Sequence, residues 1–369
     1  MIDKHFWNDK RVLITGHTGF KGSWLSLWLQ ELGAKVYGYS LSPLGDPNLF
    51  RELSSSRPPN IASKYYWTHK IGDINNLPEL NNFIKLCQPE IVFHLAAQPL
   101  VKLSYKEPLL TWSTNVIGSL NVLESLRKIK HKCAVVMITT DKVYENKEWE
   151  FGYREVDPLG GYDPYSSSKA AAEIAISSWR SSYCGNGTNQ TQFLKIATAR
   201  AGNVIGGGDW AKDRIIPDLS RSILKKTPLE IRKPNAKRPW QHVLDPLYGY
   251  LLLAQHLHKR NNPLCEAFNF GPPIQSNRTV RELVEYAYNY CNGEWKATNR
   301  SDDEHEATNL HLNSDKAFST LGWKSVWEFS TTIKRTIEWY KQFTVYQTKA
   351  ISCCLEDIKS YEEALETKD

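Results

Sequence analysis

Up to residue 200 the chain alternates short, continuous apolar runs with longer amphipathic stretches. Residues 11–15, 35–39, 90–95, 134–139 and 193–199 lack the alternation of a half-solvated strand, so each is expected as a parallel strand buried on both faces. Between the first two, Trp24, Leu25, Trp28, Leu29 and Leu32 recur at helical spacing over 23–32, and Gly33 supplies a stop. Strands alternating with helices imply an α/β fold, a doubly wound parallel sheet covered on both faces. Beyond Gly202 the pattern loosens into Gly- and Pro-rich loops, with helices expected over 216–225, 247–258, 280–291 and 331–343. The division expected is a first domain over 1–200, to which 240–270 returns. A smaller second domain follows over 201–239 and 271–345, placed as a lid over the strand ends, and 346–369 is a polar C-terminal tail.

Composition narrows the class. A chain of 369 residues buries a large core, and its 13 Trp and 18 Tyr read first as core residues. No apolar run approaches the roughly 18 residues of a membrane span, and the charged opening leads straight into a strand, so neither export nor membrane insertion is expected. Seven cysteines, an odd number without close ligand spacing, fit a reducing cytoplasmic setting and no metal site; Cys353 and Cys354 fall in the polar tail. A dispersed net charge of +6 does not suggest nucleic acid but does favour an anionic ligand such as a diphosphate. Arg232, Lys233, Lys237 and Arg238 form the densest basic stretch.

Gly16, Gly19 and Gly22 follow the first strand and open the first helix, where free backbone N–H groups can take a pyrophosphate that only glycine lets approach. An acid about 20 residues further on, which would bind the adenosine ribose, is missing. The second strand ends in Tyr39, Ser40 and Leu41, so the choice between NAD and NADP stays open.

Two Tyr-x-x-x-Lys patterns occur. Tyr66 and Lys70 lie on an expected strand, where residues four apart are about 13 Å from each other. Tyr165 and Lys169 precede an alanine-rich helical stretch, where i and i+4 share a face about 6 Å apart, so only this pair can act as a unit. A neighbouring ammonium is expected to lower the tyrosine from its ordinary value near 10 towards a usable base. Thr140, Asp141 and Lys142 stand where the 134–139 strand ends, the side on which ligands bind in open α/β sheets. An additional ionisable pair there points to a second proton transfer, an oxidation that drives an elimination. Asn115 either organises a proton path or caps a helix. His94 is read as a satisfied core histidine.

These residues carry a family resemblance. From the first strand to about Lys341 the chain resembles extended short-chain dehydrogenases/reductases acting on nucleotide sugars. It does so through Thr15-Gly-His-Thr-Gly-Phe-Lys-Gly-Ser-Trp24, His94-Leu-Ala-Ala-Gln-Pro-Leu100, Thr139-Thr-Asp-Lys142, Gly161-Tyr-Asp-Pro-Tyr-Ser-Ser-Ser-Lys169, Arg200-Ala-Gly-Asn-Val-Ile-Gly-Gly-Gly-Asp-Trp210 and Arg238-Pro-Trp-Gln-His-Val243. Within the family it is most similar to the dehydratases of CDP-glucose, since those of TDP-glucose carry Thr-Asp-Glu where this chain has Thr140-Asp141-Lys142.

The resemblance implies a Rossmann domain binding NAD, CDP-glucose as substrate, a homodimer, and a lyase reaction feeding 3,6-dideoxyhexose synthesis for a bacterial surface polysaccharide. It implies that Tyr165 takes the C4 hydroxyl proton as hydride leaves C4, and that Lys169 holds the cofactor ribose. Thr140 belongs to the same catalytic set. Asp141 protonates the departing C6 hydroxyl before hydride returns to C6. Lys142 occupies the place of the C5 base; it acts either as a neutral base or as a charge stabilising the enolate. Cofactor contacts are implied for Gly16, Thr18, Gly19, Phe20, Gly22, Asp73, Ile74, Ala96, Ala97, Asn115, Tyr165 and Lys169. Substrate contacts are implied for Gln98, Asn203, Asp209, Trp210, Arg214, Arg238, Asn269 and His305. A nucleotide-sugar epimerase or reductase would use the same glycines and tyrosine pair but leave Asp141 without work, and a silent dinucleotide-binding scaffold would need a broken site.

Overall fold

A seven-stranded parallel sheet forms the centre of the computed structural model, which describes residues 2–55, 68–185, 190–261, 263–298 and 309–367. Its strands are β1 (Arg11–Thr15), β2 (Lys35–Ser40), β3 (Thr68–Ile71), β4 (Ile91–His94), β5 (Cys133–Ile138), β6 (Leu194–Ala201) and β7 (Ala267–Phe270). They run in the order β7-β6-β5-β4-β1-β2-β3. Alternate residues feed two cores: Val12 and Ile14 of β1 pack on one face and Leu13 on the other, which is why the strands read as continuous apolar runs. Edge strand β3 alternates between half-buried and exposed residues and so lacks that signature. Lys70 on β3 pairs with Glu79 at 2.9 Å, while Tyr66 lies outside the described residues.

The helices that carry or frame the strand ends are α1 (Phe20–Glu31), α2 (Leu77–Cys87), α3 (Gly118–Leu126), α4 (Pro164–Tyr183), α5 (Ile215–Lys225), α6 (Leu244–Lys259), α7 (Phe329–Thr344) and α8 (Ala350–Glu366). Helix α6 packs on β5 and β6, and β7 closes that edge of the sheet. Beyond Ala201 the chain adds three two-stranded ladders: Val204–Ile205 with Gln241–His242, Lys237–Pro239 with Asn277–Thr279, and Leu229–Ile231 with Trp295–Ala297. No helix among the described residues is long and apolar enough to cross a membrane.

The C-terminal region differs from the expected polar tail. Helix α8 buries Ala350, Cys353, Cys354, Asp357, Ile358 and Tyr361 at i, i+3 and i+4 spacing, one narrow stripe among polar residues. That stripe covers α1, which is therefore buried all round instead of on one face. Trp28 meets Tyr361 edge-on at 5.7 Å and donates its Nε1–H to Glu362 at 2.9 Å. Tyr361 also donates to buried Asp245 at 2.8 Å. Tyr361→Ala is expected to cost about 3–5 kcal/mol, the range for removing a large buried aromatic, whereas Tyr361→Phe costs about 1 kcal/mol for the lost hydrogen bond. Urea unfolding of the two variants measures both, and equal losses would show that the ring itself contributes nothing.

Candidate active site

The glycine turn and the Thr140–Lys142 segment follow the carboxyl ends of β1 and β5, near the point where β2 and β4 flank β1 and the strand order reverses. After β1, Gly16 adopts φ +78°, and a Cβ there would sit 2.6 Å from the backbone nitrogen of Ala96. A Cβ on Gly22 would meet the Gly16 carbonyl oxygen at 2.2 Å. Gly19 caps α1 with no side chain in the way. This turn has room for a ligand phosphate and none for a side chain, so it fits a dinucleotide. Phe20 starts the helix, and Ala96 and Ala97 line the opposite strand end as half-buried residues. At the end of β2, Thr18 Oγ1 pairs with Ser40 Oγ at 2.8 Å and donates to the Leu41 carbonyl at 3.0 Å, hydroxyls where a carboxylate is often found. Asp73 accepts from Asn75 N–H at 2.9 Å beside Ile74, which packs against Gly118.

At the end of β5, Thr140 caps a single 3₁₀ turn over Asp141–Val143. Its hydroxyl donates to Asp141 Oδ1 at 2.9 Å and opposes the rise that burial gives Tyr165, so it acts on both groups. Tyr165 and Lys169 stand one turn apart on α4, whose start is fixed by the reciprocal Asp163–Ser166 capping box. Burial pushes the Asp141 carboxyl up against the opposing pull of Lys142, Thr140, Arg238 and Lys21. A buried carboxyl held proton-rich is suited to donate a proton. Burial draws Lys169 down to about 8 and pushes Tyr165 up to about 12, against the Thr140 hydrogen bond and the Arg214 charge. Burial thus raises Tyr165 where the sequence led to the expectation of a lowering by its neighbouring lysine, and an added positive charge would oppose that rise.

Two further cations reach this cluster. Arg214, at the N-terminus of α5, is held by Asp209 at 2.9 Å and acts on Tyr165. Lys21, in the first turn of α1, donates to Tyr250 Oη at 3.4 Å, and burial together with the Arg214 charge draws it down to about 8. Sequence reading assigned Lys21 no role, because its place beside Asp141 and Lys169 depends on how α1 docks.

Several expected ligand contacts are spent inside the protein. Gln98 accepts from Leu100 N–H at 2.6 Å and donates to the Leu100 carbonyl and Thr111 Oγ1 at 3.1 and 2.9 Å. Asn115 is fully buried on a π-helical turn (Ser113–Ile117). It accepts from Gln98 N–H and donates to the Gln98 carbonyl and Ser168 Oγ, fastening the β4 loop to α4, and it caps no helix among the described residues. Asn269 on β7 accepts from Tyr144 Oη at 2.7 Å and commits both amide hydrogens to the Tyr153 and Asn313 carbonyls. Asp209 serves as the counter-ion of Arg214, and Trp210 packs its ring on Tyr340 and Phe343. Gln98, Asn115 and Asn269 thus have their buried polar atoms paired within the fold, whereas the buried Trp210 Nε1–H finds no partner among the described residues. Asn203, half-buried, follows β6, Arg238 is buried and acts on the Asp141 carboxyl, and His305 lies outside the described residues. His94 bonds Thr15 Oγ1 at 2.7 Å and Ser119 Oγ at 2.9 Å, a satisfied core residue as read.

Beneath the site lies a network that sequence reading missed. Glu173, one turn beyond Lys169, accepts from Thr139 at 2.6 Å, from Thr198 at 2.8 Å and from two nitrogens of Arg200 at 3.0 and 2.9 Å. Arg200 also donates to Tyr144 Oη at 2.7 Å. The only available signal was a charged residue inside each of two apolar patterns, four residues after Lys169 and near the end of β6.

The family model of GDP-mannose 4,6 dehydratase matches residues 13–336. A CDP-glucose 4,6-dehydratase of Salmonella typhimurium is 44% identical over 366 residues, 99% of either chain. A probable dTDP-glucose 4,6-dehydratase of Sinorhizobium fredii is 26% identical over 89% of this chain and 92% of its own. Among solved structures, a dTDP-glucose 4,6-dehydratase of Bacillus anthracis in complex with NAD aligns with a TM-score of 0.71 at 22% identity, over 92% of this chain and 99% of that one.

Proposed function

The chain belongs to the nucleotide-sugar 4,6-dehydratase family, hydro-lyases of the extended short-chain dehydrogenase/reductase type, and from this premise we propose that it removes water from CDP-glucose to give CDP-4-keto-6-deoxyglucose. The observation that carries the reading is the buried Asp141 carboxyl, bonded by the Thr140 that also acts on Tyr165: an oxidising pair with a proton donor beside it. An epimerase or reductase has no use for that donor.

NAD suits the glycine turn, with Gly16, Gly19 and Gly22 taking its pyrophosphate, Thr18, Asp73 and Ile74 the adenosine end, and Lys169 the nicotinamide ribose. When bound, it supplies a hydride acceptor at sugar C4 and a hydride donor at C6. Tyr165 takes the C4 hydroxyl proton, and Arg214 supports the phenolate. Asp141 gives its proton to the C6 oxygen so that water departs. Arg238, with its forked guanidinium, and Asn203 take the substrate diphosphate. The C5 side belongs to Lys142, as acceptor of the C5 proton or as the charge that stabilises the enolate. Lys142→Arg separates these roles: an enolate-stabilising charge survives the change, whereas a base is lost with it. The preference for cytidine rests on the 44% relative. The product is a 4-keto-6-deoxy sugar ready for further deoxygenation, in keeping with surface-polysaccharide synthesis.

Mass spectrometry of CDP-, TDP- and UDP-glucose after incubation with the protein and NAD tests the reading. Loss of one water from CDP-glucose alone is the expected result, and unchanged mass throughout, in protein that binds NAD, would return the epimerase or reductase reading to first place.

A homodimer forms, on this reading, through the helical face of residues 108–117 and α4. Leu109, Trp112, Ile117 and Ile174 are exposed there, an apolar cluster that a lone chain would leave in water. Ile174→Glu is expected to yield monomers by light scattering, and an unaltered dimer would move the interface elsewhere.

A further inference from the structure

Gly202 follows β6, and its backbone lies outside the left-handed region, so conformation alone does not call for glycine there. Space does. A Cβ at this position would stand 2.9 Å from Asp141 Oδ2 and 3.1 Å from Pro239 Cγ. The nearest atom is the tip of a side chain, so the chain would accept a methyl group by moving the Asp141 carboxyl, while the proline ring behind leaves the methyl nowhere to retreat. Thr140 holds Oδ1 of the same carboxyl at 2.9 Å. The carboxyl is therefore bounded on one side by a hydrogen bond and on the other by the bare Cα of Gly202.

We propose that Gly202 is a positioning residue for the elimination step, its missing side chain setting where Asp141 presents its proton to the C6 oxygen. The inference rests on the reading of Asp141 as general acid. In that step the C5–H bond gives its proton to a base, the C5–C6 double bond forms, the C6–O bond breaks, and the Asp141 proton leaves with the oxygen as water. Gly202→Ala displaces the donor and leaves Tyr165, Lys169 and the glycine turn untouched.

The test uses the full-length Gly202→Ala protein with NAD and two substrates, CDP-glucose and its 6-deoxy-6-fluoro analogue. Fluoride departs with its bonding electrons and takes no proton, so its elimination does not need the acid. The 2.9 Å approach relaxes to ordinary contact at 3.4 Å when the carboxyl moves by about 0.5 Å, and since a misplacement of about 1 Å can cost roughly 10²-fold, kcat on CDP-glucose is expected to fall by roughly 10-fold with KM little changed. The loss on the fluoro analogue is expected to stay within a few-fold. The ratio of the two rates does not depend on how much of the variant is folded, so a poorly folding preparation still decides the matter. Equal losses on both substrates, or none on either, would overturn the proposal. Asp141→Asn assayed beside it isolates the underlying reading: if Asp141→Asn shows the fluoro-selective rescue and Gly202→Ala does not, only the role of Gly202 fails. If Asp141→Asn keeps full turnover of CDP-glucose, the acid assignment fails first.

Discussion

Asp141→Asn is expected to lower dehydration of CDP-glucose by about 10² to 10⁴-fold, the range a single general acid contributes, because an amide has no proton to give the departing oxygen. Oxidation at C4, which on the proposed reading uses Tyr165 and Lys169, should persist, so reduced cofactor should accumulate at 340 nm in the variant while no water is lost. The pH profile carries the same information. Burial raises the Asp141 carboxyl above its ordinary value, so its proton-bearing form persists to higher pH. Wild-type turnover should therefore decline as pH rises through that raised value, and the decline should vanish in the variant. The same shift bears on stability with a definite sign. Above the raised value the wild type holds a desolvated charge that the unfolded chain would hydrate, and asparagine carries none. The variant should accordingly be no less stable than wild type at neutral pH, and a lowered melting temperature would mean that the lost activity reflects unfolding.

Arg200→Leu is expected to be the most damaging single change to the fold away from the cofactor turn. Arg200 and Glu173 form an ion pair at 2.9 Å with side chains only 4% and 3% exposed. Burial pushes the Glu173 carboxyl up, but Arg200 and the hydroxyls of Thr139 and Thr198 outweigh it and hold the carboxyl below the ordinary range. Removing the guanidinium leaves a buried carboxylate with two hydroxyls for company, at a cost of about 3–5 kcal/mol by urea unfolding. Glu173→Gln combined with Arg200→Leu should recover most of that loss, since no unpaired charge remains. A double variant as unstable as Arg200→Leu would mean that shape, not charge, is what Arg200 supplies. Because Glu173 is depressed in the folded state, its contribution is present above the ordinary carboxylate value and lost as pH falls through the folded one. Thr139 ties this network to the loop bearing Asp141, so activity should fall with stability in Arg200→Leu and return in the double variant.

How much could be read from the residues alone depended on how local each signal was. Strands β1, β2, β4, β5 and β6 were legible because burial leaves each a nearly unbroken apolar run; β7, also buried, went unread in a region taken for loops and helices. Edge strand β3 was legible only in part, since solvent breaks its pattern. Helix α8 was misread as tail because its buried stripe is narrow and includes Cys353, Cys354 and Asp357, which count as polar or ambiguous until a partner surface is known. Gly16, Gly19, Gly22, Tyr165, Lys169 and Asp141 were found because each sits at a fixed offset from its own strand or helix end. Gln98, Asn115 and Asn269 were placed among ligand contacts by the family resemblance, while the bonds each makes to partners 13, 53 and 125 positions away could not be read from the sequence.

By itself the sequence determined the parallel sheet, the phosphate-sized turn and the list of acid–base groups, for these follow from periodicity and from spacings of a few residues. Tertiary structure alone decided which groups share an environment. It brought Lys21 and Arg214 to the Tyr165 cluster, set Glu173 against Arg200 across 27 positions, and put Gly202 against Asp141. Proton affinity and carboxyl position depend on burial and on charges a few ångströms away, and those distances are set by the packing of elements remote in sequence.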